Sequence, residues 1–222
     1  GYAFNDTLQI GQLHDPFTSV DPDEQKNTPI FQTYRKLLAV SGSDAIGEVT
    51  YPRLGIGLPV YHGTSDTVIS KGVGHMFGSS LPIGGPSTHS VLTAHSGLAH
   101  ANLFTHLLDA KVGDIFWISV LGEDHYYEVQ SIETVLPDNT DSLQIVEGQD
   151  LVTLFTCAPI GINSHRFMVH AERISNPESS GMQEIAGDGS NAGFPWWSLW
   201  FLLSSGALAL MIFAPARQKP IK

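Results

Sequence analysis

From Phe194 to Ala214 the chain carries no charged side chain, and that run restricts the possible folds more sharply than any other stretch. A helix over it is about long enough to cross a hydrocarbon core of roughly 30 Å. Trp196, Trp197 and Trp200 gather at its start, where an interfacial aromatic belt belongs, and Arg217, Lys219 and Lys222 follow its end. The expectation is a transmembrane helix over 194–214 with a basic cytoplasmic tail over 215–222, everything before it lying outside the cell. A buried core helix fits the tryptophan belt and basic flank less well. Before the span, 175–193 reads as a flexible linker, with Asn176-Pro177, Ser179-Ser180-Gly181 and Gly187-Asp188-Gly189-Ser190. At the other terminus, residues 1–12 lack a basic stretch followed by an apolar run. The first residue is not Met, so a processed or cloned fragment is expected.

The remainder reads as mainly β. Charged residues are only 15% of the chain, and 22 glycines and 13 prolines supply many turns, which suits short strands better than a helical bundle. Rough alternation marks strands at 46–52, 54–61, 114–121, 126–136, 150–156 and 166–174, with 122–125 as a hairpin connection. An apolar run at 91–95 adds another. Many short strands at this spacing predict a closed or nearly closed barrel over 46–174. A helical lead-in is expected over 21–45: Asp21 to Glu24 resembles a helix start, and Pro29 is a possible break. Residues 98–108 read as a short helix or turn. No internal repeat of useful period is present.

The net charge of -11 shows no basic stripe of the kind a nucleic-acid binder uses. A single cysteine, Cys157, excludes an intrachain disulfide and any multi-cysteine zinc site. No phosphate-binding glycine loop and no His-Glu-x-x-His spacing occur, so no cofactor or metal is implied.

Cys157 ends an apolar strand and precedes Ala158-Pro159-Ile160-Gly161, where Pro and Gly turn the chain out of a sheet. The expectation is a scaffold-held thiol that reaches the surface, a good position for a nucleophile; a buried small hydrophobe is the plainer alternative. A thiol with a pKa near 8.5 needs a base or a cation beside it to react quickly at neutral pH. Among ten histidines, His95 fits best, at the end of Val91-Leu92-Thr93-Ala94-His95. His100, His106, His125 and His170 read as solvated loop residues. Arg166 opens the strand after the Cys157 loop, so a strand-loop-strand unit can return it to the thiol. There it could steady an oxyanion; pairing with a surface carboxylate is an equal alternative at this stage. The order is histidine, cysteine, arginine. Papain-like enzymes place cysteine first, and the caspase Gln-Ala-Cys signature is absent.

These residues together resemble the sortases. Thr153-Leu154-Phe155-Thr156-Cys157 is similar to their Thr-Leu-x-Thr-Cys signature, with Arg166 nine residues on, and Leu92-Thr93-Ala94-His95-Ser96-Gly97 is similar to their histidine segment. The segment 72–85, then Leu103-Phe104-Thr105 and Gly113-Asp114, resembles the pilus-assembling class C branch. The likeness runs from about Ile46 to Ile174. It implies a sortase-type β-barrel with His95, Cys157 and Arg166 as catalytic residues. It also implies an N-terminal lid within 1–20, with Asp15-Pro16-Phe17 at its tip: Asp15 pairing with Arg166 and Phe17 covering the Cys157 sulfur. Asp-Pro alone is a common turn, and Asp21-Pro22 repeats it.

The resemblance further implies a membrane-held, extracellular cysteine transpeptidase. It would cleave a Leu-Pro-x-Thr-Gly-like sorting signal between Thr and Gly through a thioacyl-enzyme, then join it to a pilin lysine. Its partners would be pilin subunits and, through the C-terminal helix, the membrane. The alternatives are a housekeeping sortase that anchors proteins to peptidoglycan, a catalytically silent adhesin or pilus-base protein, and a generic cysteine peptidase.

Overall fold

In the computed structural model of the protein, residues 1–5, 17, 28–40, 42–177 and 204 are described. The chain divides after Ile185, and beyond that point only Ser204 is described. Residues 178–193 of the expected linker over 175–193, and the expected span and tail over 194–222, otherwise lie outside the described residues. Among the described residues no helix is long and apolar enough to cross a membrane.

The alternating segments become eight strands: β1 (Ala45–Tyr51), β2 (Ile56–His62), β3 (Val73–His75), β4 (Thr88–Thr93), β5 (Ile115–Val120), β6 (Glu123–Val135), β7 (Asp150–Ala158) and β8 (His165–Arg173). They close into a barrel in the order β1-β2-β3-β4-β7-β8-β6-β5. The β2–β3 and β4–β7 pairs are parallel and the others antiparallel. Among the described residues closure leaves no open sheet edge.

Because side chains alternate across a strand, the central strands serve two cores. Leu92, Val152, Leu154, Val169 and Ala171 belong to the large core with Phe104, Phe116 and Tyr127. Their neighbours Val91, Phe155 and Met168 point the other way and form a second apolar cluster with Met76 and Leu143, against which Phe17 and Val135 pack. From Val152 to Ala158 every residue of β7 is buried, so the strand reads as a continuous apolar run rather than an alternating one.

Three expectations are corrected. Strand β3 was not anticipated: its three residues, Val73, Gly74 and His75, are too few to show a period. The hairpin connection at 122–125 is shorter than expected. The turn is Leu121-Gly122, both at positive φ, 52° and 86°, and Glu123, Asp124 and His125 already pair with β5. A two-residue turn of this hand matches the twist of the flanking strands, which explains why it wins. Pro29 does not break a helix but begins one, α2 (Pro29–Tyr34), capped by Thr28, whose Oγ1 accepts from the Phe31 amide at 3.2 Å. Proline suits that position because its missing N–H is not needed there. The helix α1 (Tyr2–Asn5) precedes it, and Asn5 pairs with the backbone of Leu81 through both amide atoms. Residues Asp21 to Glu24 lie outside the described residues.

Candidate active site

Strand register brings the three candidate residues together. Across the antiparallel β7–β8 pair Cys157 lies opposite Arg166. On the other side β4 runs parallel to β7, with Val91 opposite Thr153 and Thr93 opposite Phe155. Two residues further along both chains stand His95 and Cys157. Sheet pairing ends at Thr93, yet the loop beyond stays beside β7. Thr156 Oγ1 donates to the Ala94 carbonyl at 2.8 Å, and Ser96 Oγ donates to the Cys157 carbonyl at 2.9 Å. Gly97 makes this approach possible: its φ is +72°, and a Cβ there would stand 2.4 Å from a methyl of Ile160 in the β7–β8 loop.

Each side chain is held from a second direction. The imidazole Nε2 of His95 lies 3.0 Å from Asp66 Oδ1, at the start of the short helix α3 (Asp66–Ile69), and the His95 amide donates to the Ile69 carbonyl at 3.3 Å. The Nη1 of Arg166 donates to the carbonyls of Asn163 and His165, both at 3.0 Å. Such a guanidinium supplies fixed donors and positive potential beside a thiol, as thiolate formation and an oxyanion require. An imidazole on the opposite flank is able to carry a proton to or from a leaving or attacking amine.

Cys157 is only 4% exposed and Arg166 3%. This corrects the expectation of a thiol that reaches the surface: strand pairing continues through Cys157 to Ala158, so Pro159 turns the chain one residue later than the thiol needs to emerge. Phe17 packs over the region. Its ring centroid is 5.5 Å from that of His95, 5.9 Å from that of Phe155 and 5.1 Å from the Arg166 guanidinium carbon. One ring therefore touches the space between imidazole and guanidinium. Asp15 and Pro16 lie outside the described residues.

Sequence reasoning missed Asp66 and Ser96. Ser96 was readable beside His95 in the Ala-His-Ser-Gly segment; nothing local connects Asp66 to it. His100 and His106 are exposed as expected. His125 and His170 are not solvated loop residues but members of β6 and β8, placed there by the early hairpin turn and by the β6–β8 register. His125 is buried, and His170 bonds Thr153 and Glu133. Among the described residues no group of three or more His, Cys, Asp or Glu side chains could hold a metal ion.

Known proteins share this fold. The model of the sortase domain matches residues 49–174. Sortase C-1 from Actinomyces oris is 44% identical, with 79% of this chain and 95% of that one covered, at a TM-score of 0.73. The pilus-related sortase C of Group B Streptococcus is 41% identical over 79% of this chain and 86% of its own, at a TM-score of 0.71. A curated relative, Sortase A of Streptococcus agalactiae serotype III (strain NEM316), is 28% identical over 142 residues. That match spans 63% of this chain and 57% of the relative. With the family match covering more than half its length, this chain belongs to the sortase family.

Proposed function

We propose that this chain is a cysteine transpeptidase of the pilus-assembling kind, with Cys157, His95 and Arg166 as its catalytic residues and Phe17 as part of a lid. The observation that carries the reading is the convergence of sulfur-bearing strand, guanidinium-bearing strand and the imidazole of the loop after β4, under one aromatic ring.

The chemistry proceeds in two halves. The Cys157 thiolate attacks the threonine carbonyl of a Leu-Pro-x-Thr-Gly-like signal, and the Arg166 fork steadies the oxyanion. As the C–N bond breaks, the His95 imidazolium gives its proton to the leaving glycine amine, and a thioester remains on sulfur. A pilin lysine amine then attacks the thioester. His95 takes its proton, the C–S bond breaks, the thiolate returns and an isopeptide bond is left. Neither half needs a cofactor. The apolar run 194–214 holds the enzyme at the membrane, with its barrel outside the cell.

Mass spectrometry of the protein mixed with a sorting-signal peptide tests the first half: a thioester adduct on Cys157 is expected, and none on Cys157→Ala. Cleavage that survived in Cys157→Ala would rule the mechanism out. The name Sortase A borne by a curated relative favours a second reading, anchoring to peptidoglycan. Lysine-bearing pilin and a peptidoglycan stem peptide offered side by side separate the two, and the pilus reading expects the pilin to be joined.

A further inference from the structure

Four residues in the barrel wall form an unbroken hydrogen-bonded chain on the same face of β7 as Cys157. His89 Nδ1 lies 2.8 Å from the Gln144 carbonyl, and His89 Nε2 lies 2.7 Å from Thr153 Oγ1. The same hydroxyl lies 2.8 Å from His170 Nδ1, and His170 Nε2 lies 3.0 Å from Glu133 Oε1. We propose that His89, Thr153, His170 and Glu133 are a proton-loaded strap that fixes loop 136–149 as one wall of the sorting-signal groove. They are positioning residues, with no part in bond making. This rests on the transpeptidase reading above.

The proton is counted from the contacts. A carbonyl only accepts, so His89 Nδ1 donates to Gln144; an ionised carboxylate only accepts, so His170 Nε2 donates to Glu133. Between the two rings stands one hydroxyl with one hydrogen. Four hydrogen bonds need four hydrogens, and two neutral imidazoles with a hydroxyl supply three. The chain therefore holds one extra proton. His89 is buried, and desolvation lowers its pKa to about 4, so its Nε2 accepts the Thr153 hydroxyl hydrogen and the fourth hydrogen lies between Thr153 Oγ1 and His170 Nδ1. Burial alone would raise the Glu133 carboxyl, but hydrogen bonds from Ser142 and His170 outweigh it and hold the group below its ordinary range, which keeps it an anion. With Glu172 and Gln149 these side chains line a cleft of about 550 Å³ in the barrel wall.

The strap closes on the loop at two points. Gln144 is held by His89, and Ser142 donates to the Glu133 carboxylate. Between them Leu143 is driven into the second apolar cluster with Val91, Phe155 and Met168. That cluster is the surface on which Phe17 rests, and it is continuous with Arg166 and His95 through the Phe17 ring. The apolar leucine and proline of a sorting signal would meet it once Phe17 lifts.

Substitution at Glu133 separates a strap from mere packing. In Glu133→Gln the amide can donate to His170, and neutral groups then satisfy all four contacts; Glu133→Leu and Thr153→Val break the chain. The expected result is a KM for sorting-signal peptide raised about fivefold in the two breaking variants, the weight of one net hydrogen bond. The kcat should be unchanged, and Glu133→Gln should match the native KM. Two readouts do not need activity. Nitrogen NMR should find both His170 ring nitrogens protonated in the native protein and one in Glu133→Gln. Hydrogen exchange over 136–149 should quicken only in the breaking variants. A native protein that cleaves no sorting peptide sinks the transpeptidase reading and leaves these two readouts to decide the strap. Unchanged exchange in Thr153→Val, or a Glu133→Gln protein as loose as Glu133→Leu, overturns the proposal.

Discussion

The hydroxyl of Ser96 donates to the carbonyl of Cys157 at 2.9 Å, tying the loop that carries the imidazole to the strand that carries the thiol. Ser96→Ala removes that tie and leaves the three proposed catalytic side chains in place. A net hydrogen bond is worth about 1 kcal/mol, and small misplacements of a reacting group are costly. The kcat for peptide cleavage should fall about tenfold, with KM little changed and the melting temperature lower by only a few degrees.

Removing the Phe17 ring should uncover the thiol. The ring contacts His95, Phe155 and Arg166, and each such contact is worth about 0.5–1.5 kcal/mol. Alkylation of Cys157 by iodoacetamide should quicken about tenfold in Phe17→Ala. An unchanged rate would count against a lid at this position.

Asp66 should matter far less than its 3.0 Å contact with His95 suggests. Its side chain is 87% exposed, and water screens a pair of that kind to a small net value. Asp66→Asn should lower kcat by less than about threefold. A loss of a hundredfold would mean that the carboxylate acts in catalysis and not only on the orientation of the ring.

Acid should destabilise the fold well above the range where carboxylates titrate. Desolvation by burial lowers His75 and His89 to about 4, against an ordinary value near 6.5. An unfolded chain gains protons on these rings as the pH drops below about 6.5, and the folded chain refuses them until about 4. Stability is therefore complete above that window and lost as pH falls through it, by up to roughly 1.4 kcal/mol per pH unit for each ring. Chemical denaturation at pH 7, 5.5 and 4.5 measures the slope, and a flat profile would contradict it.

Much of the architecture was legible because its signals are local. Strands at Ile115–Val120 and Asp150–Ala158 announce themselves by β-branched and aromatic runs bounded by turn residues. Cys157 and Arg166 were legible as neighbours across one strand-loop-strand unit, but the approach of His95 was legible only through the family resemblance. That approach depends on which strands become neighbours, and the β4–β7 pair joins residues such as Thr93 and Phe155 that stand 62 positions apart. Depth was hidden as well. Pro159 suggested an exposed thiol, whereas pairing with β8 carries the sheet past Cys157 and buries it. The histidines of the strap escaped for a related reason: His89 and His170 sit on different strands, and only Thr153 between them makes them a unit.

The parallel β4–β7 pair has a consequence for how the protein matures. Before those strands can align, the whole of β5 and β6, which lie between them in the chain, has to be synthesised. Contacts that span so much chain form late and slowly. A half-folded molecule has a sulfur on one strand and an imidazole on another with nothing to hold them side by side. The sulfur and the imidazole thus come side by side only when this seam closes, so the reactivity proposed for them waits on the barrel.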